Sequence, residues 1–184
     1  MRLMKATRLP IQNPLPQLVN WGERQAWHHP SVRWLKLNTG ASWFKTDKRG
    51  AIGCVCRNES GNFLGARWVK LPRVASAIAA EAMALRLGLE FTYMTGWKRL
   101  GVESDSRQVI QMLTKRQQVT SGLEALVGDI LHIVTRLEVK FQFTCRSSNN
   151  VAHTIAHSDS MGEMEATWLS SPPFWLSSAL SHDV

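Results

Sequence analysis

Cysteine is scarce in this chain of 184 residues: Cys54, Cys56 and Cys145 are too few and too unevenly spaced for a disulfide framework or a tetrahedral zinc site. Cys54 and Cys56 sit two apart in a strand-like run and share one face, which fits small buried thiols in a reducing compartment. No apolar run approaches the roughly 20 residues that a membrane-spanning helix needs, so no membrane association is expected. The start, Met1-Arg2-Leu3-Met4-Lys5, lacks the continuous apolar core of a secretory signal. Pro10, Pro14 and Pro16 oppose the helix of an organellar transit segment. The chain reads as intracellular, in cytoplasm or nucleus.

Acidic residues are also in short supply, with 14 Asp and Glu against 22 Lys and Arg, a net charge of +8. Residues 1–36 hold six positive charges and one negative, and residues 161–184 hold three negatives and no positive. The middle keeps a surplus of six, a balance that suits a polyanionic partner because cations gain by releasing counterions from phosphate backbones.

The length suits one domain with tails. Residues 1–30 carry four of the seven prolines and no sustained periodicity, so they read as a leader or linker. Residues 31–160 carry the periodic segments, and 161–184 form a tail that packs on or beside them. Trp34, Leu37 and Trp43 mark a first strand, Lys45 to Gly50 a charged hairpin turn, Ala51 to Arg57 a second strand and Phe63 to Leu71 a third. The period then changes to helical, with Ile78, Ala82, Leu85 and Leu89 inward, Ser76 as N-cap and Gly96 as stop. A strand over 98–104, helices over 106–115 and 123–137, a strand over 139–145 and a helix from Asn150 complete the order. This β-β-β-α-β-α-α-β-α order predicts an α/β fold, a mixed five-stranded sheet with helices packed on it.

Two carboxylates stand out. Glu81 lies one turn inside the first helix beside its apolar stripe, where the plain alternative is a solvated position. Asp105 follows a strand at the end where α/β sheets open their crevices, and the plain alternative there is a helix cap.

Short stretches bind these features into a pattern: Lys36-Leu37-Asn38, Gly50-Ala51-Ile52-Gly53, Arg57 to Asn62, Ala79 to Leu85, Val102-Glu103-Ser104-Asp105-Ser106 and Asn149-Asn150-Val151-Ala152-His153. Together they resemble the RNase H-type domain of plant retroelement-derived proteins, the reverse-transcriptase-like family, from about residue 27 to the end. Trp168, Pro172-Pro173 and Asp183 extend the likeness into the tail. The resemblance implies an RNase H-like fold and cleavage of the RNA strand of an RNA–DNA hybrid by two Mg²⁺ ions. Such ions, about 4 Å apart, repel unless carboxylates neutralise them. By the same resemblance Glu81 and Asp105 are metal ligands and catalytic residues, and His153 stands where bacterial and viral relatives place aspartate. His153 is implied as a further catalytic group, able to ligate a metal or move a proton. His153 and His157 are one helical turn apart, without an evident third ligand.

The departure lies in the first strand. Relatives read Lys-Leu-Asn-x-Asp-Gly-Ala, whereas this chain reads Asn38-Thr39-Gly40-Ala41 and carries no aspartate there. Sliding the register by one flips every side chain to the other face and restores nothing, and Asp47 lies too far along. The expectation is therefore a nucleic-acid-binding domain, a monomer without disulfides, whose two-metal catalysis is weakened or lost. Arg67, Lys70, Arg73, Arg146 and Asn149 are its candidate contacts to a hybrid or other nucleic acid. The alternatives are an active Mg²⁺-dependent hybrid endoribonuclease and a retroelement remnant that binds protein through Trp168, Phe174 and Trp175.

Overall fold

A computed structural model describes residues 26–158 and 163–182. Three antiparallel strands come first, β1 (Leu35–Phe44), β2 (Arg49–Arg57) and β3 (Phe63–Leu71). Then follow α1 (Ala77–Met94), β4 (Arg99–Ser104), α2 (Arg107–Leu113), α3 (Glu124–Val134), β5 (Glu138–Phe143) and α4 (Asn150–His157), the last entered through a 3-10 turn at Arg146–Asn149. The chain continues into β6 (Glu165–Leu169) and, after a second 3-10 turn at Phe174–Leu176, α5 (Ser177–His182). The sheet runs in the order β5-β4-β1-β2-β3-β6.

The α/β class and the order of elements stand as read from the sequence, but the sheet has six strands and not five. The extra strand comes from the tail: Gly65 to Val69 on β3 pair antiparallel with Leu169 to Glu165. Its alternation of exposed and half-buried positions over five residues is too short and too wet to stand out as a strand pattern. Once β3 exists, its free edge supplies the hydrogen bonds that make these residues a strand.

Strand β1 is central. It pairs antiparallel with β2 and parallel with β4, from Leu35 opposite Leu100 to Thr39 opposite Ser104. One face of the sheet receives α1, α2 and α3, whose Leu85, Leu89, Val109, Ile110 and Ile130 enclose Leu37, Cys54, Cys56 and Val102 in the larger core. Both of these cysteines are fully buried, and burial pushes Cys54 up to about 12 and Cys56 upward as well, so neither is a reactive thiol. Helix α1 is capped as its sequence predicts: the Ser76 side chain accepts from the Ala79 N–H at 3.2 Å. Its buried surface is wider than the Leu stripe, because Ala80 and Ala84 pack on Ile52 and Val74.

The other face receives α4, which covers β1 and β2 with Val151, Ala152 and Ile155 against Val55 and Ala66. This approach depends on a missing side chain. A Cβ at Gly53 would stand 2.5 Å from Ala152 O and Ala156 N and 2.7 Å from Ile155 Cβ. Gly53→Ala should therefore push α4 off the sheet and lower stability by about 1–3 kcal/mol, read as a loss in urea or thermal denaturation. Equal stability of the variant would show that α4 does not need this contact.

Candidate active site

The C-terminal end of β4 and the strand beside it gather the chemistry. Continuing the β1–β4 register past Thr39 and Ser104 sets Gly40 beside Asp105. Strand alternation turns Asn38, Gly40 and Ser42 toward α4: Ser42 Oγ donates to Ala156 O at 2.7 Å, and a Cβ on Gly40 would point at Asn149 Nδ2, 3.4 Å away. Asp105 does not cap α2. Its Oδ1 accepts from Asn149 Nδ2 at 3.1 Å, and Ser106 occupies the cap position without a side-chain cap bond.

Glu81 reaches the same place from the first turns of α1, and it is not a solvated helix position. Its Oε2 is buried without a hydrogen-bond partner. Its pKa is pushed up to about 8, by burial first and by the Asp105 charge second, against the opposing help of the Ala41 backbone N–H and Arg146. At neutral pH Glu81 therefore carries a proton. His153 is held in the opposite sense: burial, then His157 and Arg146, lower it to about 4. Arg146 Nη2 lies 2.5 Å from His153 Nε2, so this ring nitrogen accepts and carries no proton. His157 stacks at 3.9 Å between ring centroids and its Nδ1 lies 3.0 Å from His153 O.

Of the residues singled out from the sequence, Glu81, Asp105, His153, Arg146 and Asn149 come together. Arg67, Lys70 and Arg73 do not join them: they lie on and after β3, two strands from β1, and Arg67 is ion-paired with Glu165 at 2.7 Å. The structure adds a polar layer behind Asn149. Lys36 Nζ meets Glu103 Oε1 at 2.6 Å, Asn38 Nδ2 donates to Glu103 Oε2 at 2.9 Å, and Arg57, only 1% exposed, donates to Asn38 Oδ1 at 3.3 Å. Lys36, Asn38 and Glu103 lie within the stretches that carry the family resemblance, but local pattern alone does not mark them as buried. The usable signal was a polar face alternating with Leu37 and Val102 in strands flanked on both sides.

For divalent ions the donor set is thin. The orphaned Glu81 oxygen beside Asp105 suits one cation, which would lower the Glu81 pKa and displace its proton. A second ion lacks a ligand: Gly40, the β1 position next to Asp105 in register, has no side chain, and no group of three His, Cys, Asp or Glu placed to hold a metal exists among the described residues. The residues therefore do not fit a two-ion centre.

The shifted groups set a pH dependence. Glu81 binds its proton more tightly folded than unfolded, so its contribution to stability is present below about pH 4.5 and is lost as pH rises through about 8. His153 binds its proton more weakly folded, so stability falls as pH drops from about 6.5 toward 4. Urea denaturation across pH 5–9 should show Glu81→Gln gaining on the parent protein as pH rises, and a constant difference would contradict the assignment. Asp105→Asn should bring the Glu81 pKa down from about 8, without reaching the ordinary value, in a carboxyl-detected NMR titration.

Comparison with known proteins agrees with this geometry. The N-terminal RNase H domain of a Mycobacterium tuberculosis protein, solved as a fusion with maltose-binding protein, superimposes with a TM-score of 0.63 at 19% identity, over 68% of this chain and 91% of that one. RNase H1 of the halophilic archaeon Halobacterium salinarum gives 0.62 at 19%, over 66% and 93%. LC11-RNase H1, solved in complex with an RNA/DNA hybrid, gives 0.61 at 22%, over 66% and 92%. No curated protein sequence matches the chain. The fold is thus that of RNase H, and a family described as reverse transcriptase-like matches residues 38–159, two-thirds of the chain. The chain belongs to the reverse transcriptase-like family.

Proposed function

We propose that this chain is a nucleic-acid-binding RNase H-like domain whose two-metal hydrolysis is weakened or lost, with an RNA–DNA hybrid as its preferred partner. The observation that carries the reading is the side-chain-free Gly40, next to Asp105 by strand register and facing Asn149, where a third carboxylate would be needed. Glu81 and Asp105 alone bring at most two negative charges to the site, and Glu81 surrenders one of them to a proton near neutral pH. Without a third acid, a pair of Mg²⁺ ions meets mutual repulsion that no neighbouring group offsets. The loss should reach several kcal/mol, which is orders of magnitude in rate. His153 does not compensate, because its Arg146-engaged imidazole is neutral and adds no negative charge.

Binding is supported by what remains. The chain carries a net charge of +8, and exposed Arg146 engages His153 at the site. Lys70 on β3 and Arg73 just after it are exposed, and Arg67 flanks them as a partner to Glu165 that a phosphate would have to displace. The similar LC11-RNase H1 was solved holding an RNA/DNA hybrid. Contacts of this type position a duplex without reading its sequence, and 2′-hydroxyls distinguish RNA from DNA. We infer a monomer that binds duplexes by shape.

The test is a labelled hybrid incubated with the purified chain in Mg²⁺ and in Mn²⁺. The hybrid should be bound with an affinity that falls steeply with salt, and should stay intact. Gly40→Asp should then gain metal-dependent cleavage at least tenfold above the parent. Its Cβ meets only ordinary contacts, Asn149 Nδ2 at 3.4 Å and Ala152 C and His153 N at 3.6 Å. Parent cleavage that Asp105→Asn abolishes would overturn the loss of catalysis, and absence of any binding would overturn the nucleic-acid reading.

A further inference from the structure

The segment before β1 is tied into the site by an unbroken run of side-chain hydrogen bonds. Trp27 is 5% exposed, and the Arg57 guanidinium covers its ring at 3.7 Å. Lys36 lies 5.1 Å from the same ring, and His29 meets it edge-on at 5.1 Å. Trp27 Nε1 donates to Asn38 Oδ1 at 3.0 Å, and Arg57 Nη2 donates to that oxygen at 3.3 Å. With both lone pairs of Oδ1 engaged, the Asn38 amide has to present its NH₂ the other way. It donates to Glu103 Oε2 at 2.9 Å and to Asn149 Oδ1 at 3.3 Å.

The same logic then fixes Asn149, which is 1% exposed. Its oxygen accepts from Asn38, so its NH₂ turns to Thr39 O at 2.8 Å and to Asp105 Oδ1 at 3.1 Å. Reversing the Asn38 amide would set oxygen against the Glu103 carboxylate. Reversing Asn149 would set oxygen against the Thr39 carbonyl and Asp105 together. Each amide orientation is therefore dictated by its neighbour, and the series starts at the Trp27 indole.

We propose that Trp27 is a positioning residue of the site: its indole N–H, acting through Asn38, sets the face of Asn149 that meets Asp105. The segment preceding β1 then belongs to the functional unit and is not a spacer in front of it. On the nucleic-acid reading above, which this role deepens, the surface presented to a partner includes the Asp105 carboxylate in the orientation that the buried Asn149 N–H imposes. Trp27 holds that surface still before the partner arrives, so less ordering remains to be done on binding.

The test uses the full chain with Trp27→Phe, which keeps an aromatic ring for Arg57 and removes the N–H together with part of the indole. Side-chain amide hydrogen exchange of Asn149, followed by NMR, should quicken at least tenfold, and hybrid affinity should weaken by a similar factor. Ile130→Val, a substitution in the core under α3, should lower the melting temperature while leaving Asn149 exchange unchanged. Unchanged Asn149 exchange in Trp27→Phe, or an equal change in Ile130→Val, would overturn the proposal. If Trp27→Phe does not fold, Asn38→Thr removes the middle link, and Asn149 protection equal to the parent would overturn it in the same way. Faster Asn149 exchange in a chain whose parent binds no hybrid would support the positioning role while overturning the nucleic-acid reading.

Discussion

The pairing of β1 with β4 is the constraint on which the rest depends. Because β4 also runs parallel to β3, it cannot be reached by a short turn, so after β3 the chain must leave the sheet, form α1 and return. That excursion places Glu81 over the same strand end that Asp105 follows. The antiparallel pairing of β1 with β2 then brings Gly53 opposite Gly40. Gly53 in turn admits α4 close enough for Asn149 to reach both Thr39 and Asp105. Three distant parts of the chain meet at one point because a single strand pairs on both of its edges.

At that point electrostatics decides the chemistry. Two carboxylates brought together out of water repel, and the cheaper response is for one of them to keep its proton. Glu81 does so because burial strips it of water and one of its oxygens lacks any donor. Asp105 accepts from Asn149. A site designed around divalent ions would need a third negative group to reverse this balance, and Gly40 supplies none. The backbone of β1 is undistorted there: its register with β2 runs without a break from Lys36 to Phe44. The fold does not need the acid, which is why the strand survives its loss.

Much of this was legible in the sequence for physical reasons. Alternating apolar residues in β5 and the 3–4 spacing of Ile78, Ala82, Leu85 and Leu89 report burial directly, and Ser76 announces a helix start because its hydroxyl can cap. Glu81, Asp105, His153, Arg146 and Asn149 were recognisable from local stretches, and the structure does bring them together. The sixth strand was not legible, because β6 owes its conformation to the edge of β3 and not to its own pattern. Trp27 was hidden for a related reason. A lone tryptophan between proline-bearing stretches has no periodic partner, and its role depends on Asn38 and Arg57 far along the chain. Arg57 itself sits at a strand end where a solvated arginine is the ordinary reading, yet it is among the most buried side chains of the molecule. Buried charge of this kind is set by tertiary neighbours, and single-sequence patterns do not carry it.

The most direct measurement of the central claim is the number of divalent ions the site holds. Mn²⁺ binding to the full chain, followed by electron paramagnetic resonance with and without a bound hybrid, counts them. The account predicts at most one ion, bound weakly and with release of a proton from Glu81. Two ions bound together at the site, abolished by Asp105→Asn, would contradict it and restore the chain to the metal-dependent nucleases.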